Sequence, residues 1–96
     1  MVALKNVKKV AEKYIYNLQR AFKTLKNRGA FTDKSLPVTT VLDSAYRYLK
    51  DAEYYLKKGD DVAAVASASY SEGLLDALKL LNVIEISWEK VSLGDG

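Results

Sequence analysis

Asp51 and Asp76, each three or six residues after a tyrosine, are the first carboxylates to weigh as a general acid–base pair. If those runs fold back on each other about Gly59 and Asp60, residue 51 lies level with about position 68. Asp76 then stands roughly 12 Å further along the axis at 1.5 Å per residue. Paired glycosidase carboxylates are about 5–9.5 Å apart. The spacing therefore favours two separate structural carboxylates. Tyr70 is nearly level with Asp51, and a hydrogen bond between them is expected to fix helix register.

The other routes to catalysis are closed by composition. The chain has no histidine and no cysteine. Histidine-dependent triads, imidazole zinc sites and thiolate chemistry are excluded, and no glycine-rich phosphate loop is present. The Gly59-Asp60-Asp61 corner lacks the alternating oxygen ligands and terminal glutamate of a calcium loop. No catalytic constellation, metal site or cofactor is expected, and the chain reads as a non-enzyme. Freedom from cysteine fits a reducing cytoplasm. Lys5, Lys8 and Lys9 are followed by no apolar core of a signal peptide. No run of about 18 apolar residues exists to cross a membrane.

The cations are unevenly spread. Residues 1–28 hold eight Lys/Arg against Glu12, a balance of +7, whereas residues 29–96 hold seven against eleven acids, a balance of −4. Lys5, Lys8, Lys9, Lys23 and Lys26, with Arg20 and Tyr16 beside them, lie opposite the apolar stripe of the first helix. Such a row could track phosphates with a steeply salt-dependent affinity, or simply be a solvated face. Of the seven tyrosines, Tyr14, Tyr48, Tyr55 and Tyr70 fall on or beside apolar stripes and read as core. Tyr16, Tyr46 and Tyr54 point away and are the candidate stacking platforms. A helix-turn-helix reader fails on charge: its recognition helix would carry Asp61, Glu72 and Asp76 against Lys79.

Three helices must position these groups. Leu4, Val7, Ala11, Tyr14, Leu18, Ala21 and Leu25 recur at alternating spacings of three and four, which predicts a helix over about 3–28 ended by Gly29. Ser35 is a candidate N-cap and Pro37 a tolerated first-turn residue for a second helix over about 37–58. Its stripe is Val38, Leu42, Ala45, Leu49, Ala52 and Leu56. Asp43–Arg47, Arg47–Asp51 and Glu53–Lys57 are spaced as i,i+4 pairs. Gly59 supplies a left-handed corner, and Asp60 and Asp61 suit the start of a third helix over about 61–82.

That third helix is small-residue rich from Ala63 to Ser69 and leucine rich from Leu74 to Leu81. Its apolar arc is wide enough to touch two partners. The tail, residues 83–96, changes to a period of two, with Ile84, Ile86 and Trp88 alternating against polar residues. It must lie across the bundle or pair with something. Gly94 to Gly96 are expected to be disordered.

The hairpin resembles the archaeal family known as domain of unknown function 357. The shared elements are Tyr48, Asp51 and Ala52; then Tyr55, Leu56, Lys58, Gly59 and Asp60; then Tyr70, Gly73, Leu74, Leu75, Asp76 and Ala77. Members often carry alanine and histidine after the tyrosine, where this chain has Ser71 and Glu72. The resemblance implies a three-helix bundle, a habit of occurring alone or beside nucleotidyltransferase-like domains, and no catalytic residues.

The fold expected is all-α, an antiparallel three-helix bundle with a short extended C-terminal tail. The function expected is a protein-interaction or assembly module, with a homodimer favoured. Leu75, projecting from the stripe, and Leu78, lying between the two directions, are expected to join Ile84, Ile86 and Trp88 in the interface. The alternative is a nucleic-acid-binding accessory domain using the basic face of the first helix.

Overall fold

A computed structural model describes residues 6–27 and 37–88. Three helices pack against one another: α1 (Val7–Thr24), α2 (Val38–Lys57) and α3 (Asp61–Leu80). Two short strands, β1 (Lys26–Asn27) and β2 (Ile84–Glu85), tie the tail to the end of α1. The expectations for residues 3–5, Gly29, Ser35 and 89–96 lie outside the described residues.

α1 buries Ala11, Ile15, Leu18 and Ala21. It stops about four residues before the periodicity predicted. The Thr24 hydroxyl donates back to the Arg20 and Ala21 carbonyls, both at 3.2 Å, occupying acceptors of the last turn. Leu25 then turns to extended backbone. Lys26 and Asn27 take their hydrogen bonds from the tail, antiparallel, with Lys26 opposite Glu85 and Asn27 opposite Ile84. A strand partner arriving from the other end of the chain displaces the last helical turn.

The corner between α2 and α3 follows the sequence closely. Gly59 has φ 82°. Its N–H donates to the Leu56 carbonyl at 3.1 Å, and the Asp60 N–H donates to the Tyr55 carbonyl at 2.9 Å. These are the two bonds of a Schellman cap. Asp60 also starts the next helix, its Oδ1 accepting the Ala63 N–H at 3.1 Å. One residue thus ends α2 and caps α3. The tightness of the turn forces the hairpin.

α3 ends in the same way, which the periodicity did not reveal. Asn82 takes φ 62°, its N–H bonds the Lys79 carbonyl, and the Val83 N–H bonds the Leu78 carbonyl. Val83 and Leu78 are both buried, the apolar contact that accompanies this cap.

The inward stripe of α3 is Ala64, Ala68, Ser71, Leu75 and Leu78. Leu75 is fully buried and Leu78 nearly so, which overturns the expectation that they project outward to another subunit. A stripe judged from leucines alone is misplaced, because alanine and serine carry its first half. These small residues let α3 approach α2, where Ala45 and Ala52 are equally buried. The closeness shows in the Ser71 hydroxyl, which donates to the Ala45 carbonyl at 2.7 Å.

The tail both crosses the bundle and pairs, within one chain. Val83, Ile84 and Ile86 are buried in the common core, and Trp88 packs against it half-buried. Ile84, Ile86 and Trp88 are therefore intramolecular, a second correction to the expected interface. A period of two serves here to put Ile84 and Ile86 inward while Glu85 and Ser87 stay exposed.

Candidate interaction surfaces

The residues of the hairpin motif separate into structural and exposed groups. Tyr48 and Tyr70 stack face to face across α2 and α3, with ring centroids 4.3 Å apart and planes 7° from parallel. Tyr48 is half-buried, but Tyr70 is 55% exposed and is not the core residue expected. Asp51 is exposed and forms no hydrogen bond with Tyr70. Register is held instead by the ring stack and by Ser71. Asp76 accepts the Trp88 indole N–H at 3.1 Å, so this motif carboxylate anchors the tail. With Asp76 taken and Asp51 facing solvent, the two carboxylates share no site. Among the described residues no acidic cluster could hold a metal ion.

Glu72 follows Ser71 on the flank of α3. Its partial burial, reinforced by the neighbouring Asp76 charge, holds its carboxyl above the usual carboxylate range.

The side of α3 opposite its core stripe is the first candidate surface. Val62, Ala66, Ser69, Gly73, Ala77 and Leu80 recur along it at spacings of four, three, four, four and three, and all are exposed. Val62 is 63% and Leu80 85% exposed, and Leu81 beyond the helix end is 61% exposed. Gly73 sits mid-helix with nothing within 4 Å of where a Cβ would stand. Among the described residues no contact requires a glycine there, although it weakens the helix by about 1 kcal/mol relative to alanine.

The second surface is the outward face of α1, with the groove toward α2 beside it. Lys8, Lys9, Tyr16, Arg20, Lys23 and Lys26 are all exposed, as the sequence predicted, while Lys5 lies outside the described residues. Tyr46 of α2 and Phe22 of α1 meet with their rings nearly perpendicular, centroids 5.5 Å apart at 82°. Beside them opens a cavity of about 440 Å³ lined in part by Gln19, Lys23 and Lys50. Glu53 closes its far side, accepting from Gln19 at 2.9 Å and from Lys50 at 3.1 Å. Glu53 thus meets Lys50 rather than the expected Lys57. The Glu53 hydrogen bond, with Tyr46 beside it, raises the Lys50 ammonium pKa above its ordinary value.

Three exposed tyrosines have a cation against the ring, whereas exposed Tyr70 has the Tyr48 ring instead. Arg20 lies 5.9 Å from the Tyr16 centroid, Lys50 5.2 Å from Tyr46, and Lys58 5.6 Å from Tyr54. All three pairs are four residues apart. That spacing was visible in the sequence and is the signal by which Lys50 and Lys58 could have been named.

A family model described as "Protein of unknown function (DUF357)" matches residues 13–84. The chain belongs to the DUF357 family. The match runs from the first turns of α1 to β2, so the DUF357 unit comprises all three helices and the start of the tail. No curated protein and no solved structure matches the chain. Among the described residues no helix is long and apolar enough to cross a membrane. Of the motif residues in this DUF357 chain, Gly59, Asp60 and Asp76 have structural work in the monomer. Tyr70, stacked on Tyr48, and Gly73 are exposed.

Proposed function

We propose that this chain is a non-enzymatic assembly module that docks through the outward side of α3, and that its partner is a second copy of itself. One observation carries the reading. α3 buries one stripe in the core and carries a second, uncharged stripe of Val62, Ala66, Ser69, Gly73, Ala77 and Leu80 exposed on the opposite side. A helix of that kind belongs in the middle of an assembly rather than at its edge.

The charge pattern favours an antiparallel self-pair. Asp61 and Lys79 stand on the same flank of α3, at its two ends. A twofold axis through the level of Ser71 sets Val62 opposite Leu80 of the partner subunit, and Ser69 opposite Gly73 of the partner subunit. Asp61 then falls within about one turn of Lys79 of the partner subunit, and the two helix dipoles run antiparallel. The uncharged middle, with Gly73 at its centre, allows close backbone approach.

Light scattering on the full chain tests this. A dimer is expected, and Leu80→Glu is expected to yield a monomer of unchanged melting temperature, since Leu80 makes no core contact. A wild-type monomer at about 100 μM, a weak-dimer concentration, would overturn the proposal.

A further inference from the structure

Tyr70 is the one aromatic residue of α3. Its parallel stack on Tyr48 fixes the ring, yet 55% of the residue stays in water. A ring already held in one orientation loses little entropy when it is covered, which suits it to anchor an interface. At about 100° per residue, Tyr70 lies roughly 60° round the helix from the middle of the Val62–Leu80 stripe, on the flank next to α2. Its neighbours one turn away on the stripe are Ala66 and Gly73, both exposed and both small.

The antiparallel pair places its twofold axis at the level of Ser71, which follows from Val62, Leu80, Asp61 and Lys79 without reference to Tyr70. Tyr70 is one residue from that level. A twofold lying in the interface brings like flanks together, so Tyr70 comes to stand beside Tyr70 of the partner subunit, about 3 Å further along the axis. With the helix axes about 8–10 Å apart, the two β-carbons are about 6–8 Å from each other, near enough for the rings to meet. We propose that Tyr70 is the anchor of the self-pair, the Tyr48–Tyr70 stack of each copy meeting that of the other across the twofold in a row of four rings. This rests on the antiparallel pairing through α3 and adds the contact at its centre. A second copy supplies the matching ring by symmetry, and Val62 and Leu80 then exclude water at the two ends.

Light scattering on the full chain at about 100 μM comes first. A monomer there removes the pairing, and this inference with it. In a dimer, Tyr70→Ala should raise the dissociation constant roughly 10- to 100-fold, since each dimer loses two rings, whereas Tyr70→Phe should stay close to wild type. Tyr70→Ala also removes the Tyr48 stack, so a second readout uses chains that keep the ring. Brief illumination with a ruthenium tris-bipyridyl sensitiser and persulfate takes one electron and one proton from each of two adjacent phenols and joins their rings by a carbon–carbon bond. Wild type should give a covalent dimer, and Tyr70→Phe should lose most of it while still scattering as a dimer. Three results overturn the role of Tyr70 and leave the pairing through α3 standing. They are a dimeric wild type that gives no covalent dimer, a cross-link that survives Tyr70→Phe, and an unchanged dissociation constant in Tyr70→Ala.

Discussion

Ser71 is the polar residue that most tightly joins two helices. Its hydroxyl is fully buried and donates to a carbonyl of α2 that already lies within a helix. Ser71→Ala removes the bond without leaving that carbonyl bare, so a loss of about 1 kcal/mol is expected. In a domain of this size that is a fall of roughly 4–8 °C in melting temperature. Glu72 beside it acts in the opposite sense. Its native pKa is raised, so its contribution to stability is fully present below the unfolded carboxylate value and is lost as pH rises through the native one. Glu72→Gln should therefore raise the melting temperature at pH 7. At about pH 3, below both pKa values, the gain should vanish. Two pH-controlled melts decide it. The roles of the motif carboxylates were only half legible beforehand. That Asp51 and Asp76 are not a pair follows from helical rise, but the Trp88 partner of Asp76 depends on where a distant tail lands.

At the scale of elements, the two helix ends test one principle. Gly59 occupies its left-handed position freely, while Asn82 occupies the equivalent position at some cost. Asn82→Gly should stabilise the fold by up to about 1 kcal/mol, read by denaturant titration, whereas Gly59→Ala should destabilise it. The tail is the other element with a clear expectation. Val83, Ile84 and Ile86 are each buried, and each such side chain contributes about 1.5–3 kcal/mol. A chain ending at Asn82 should lose most of its stability, and far-ultraviolet circular dichroism at 25 °C with a melt would show it. The three helices and the Gly59 corner were legible because periodicity and capping are local properties. The end of α1 was not, because it is set by pairing with residues almost sixty positions away. The misplacement of Leu75 has a different cause: Ala64, Ala68 and Ser71 line the buried stripe of α3 but give no strong apolar signal.

For the whole molecule, α3 is the helix on which the other two pack, each more extensively than they pack on one another. A twofold pair joined through its outward side would set two such central helices together, with α1 and α2 of each copy outside them.

The β1–β2 ladder sets an order of events in time. Contacts between α2 and α3 close a short turn, whereas Lys26 and Glu85 are 59 residues apart in the chain (85 − 26). Loop closure over that span costs more entropy, so the helical hairpin forms early and the tail is the last piece to seat. Interactions made after the rate-limiting step slow unfolding without speeding folding. The tail is then a latch: it governs how long the folded chain persists once made, and the Trp88 indole, the sole tryptophan of the chain, reports by its fluorescence when the latch opens.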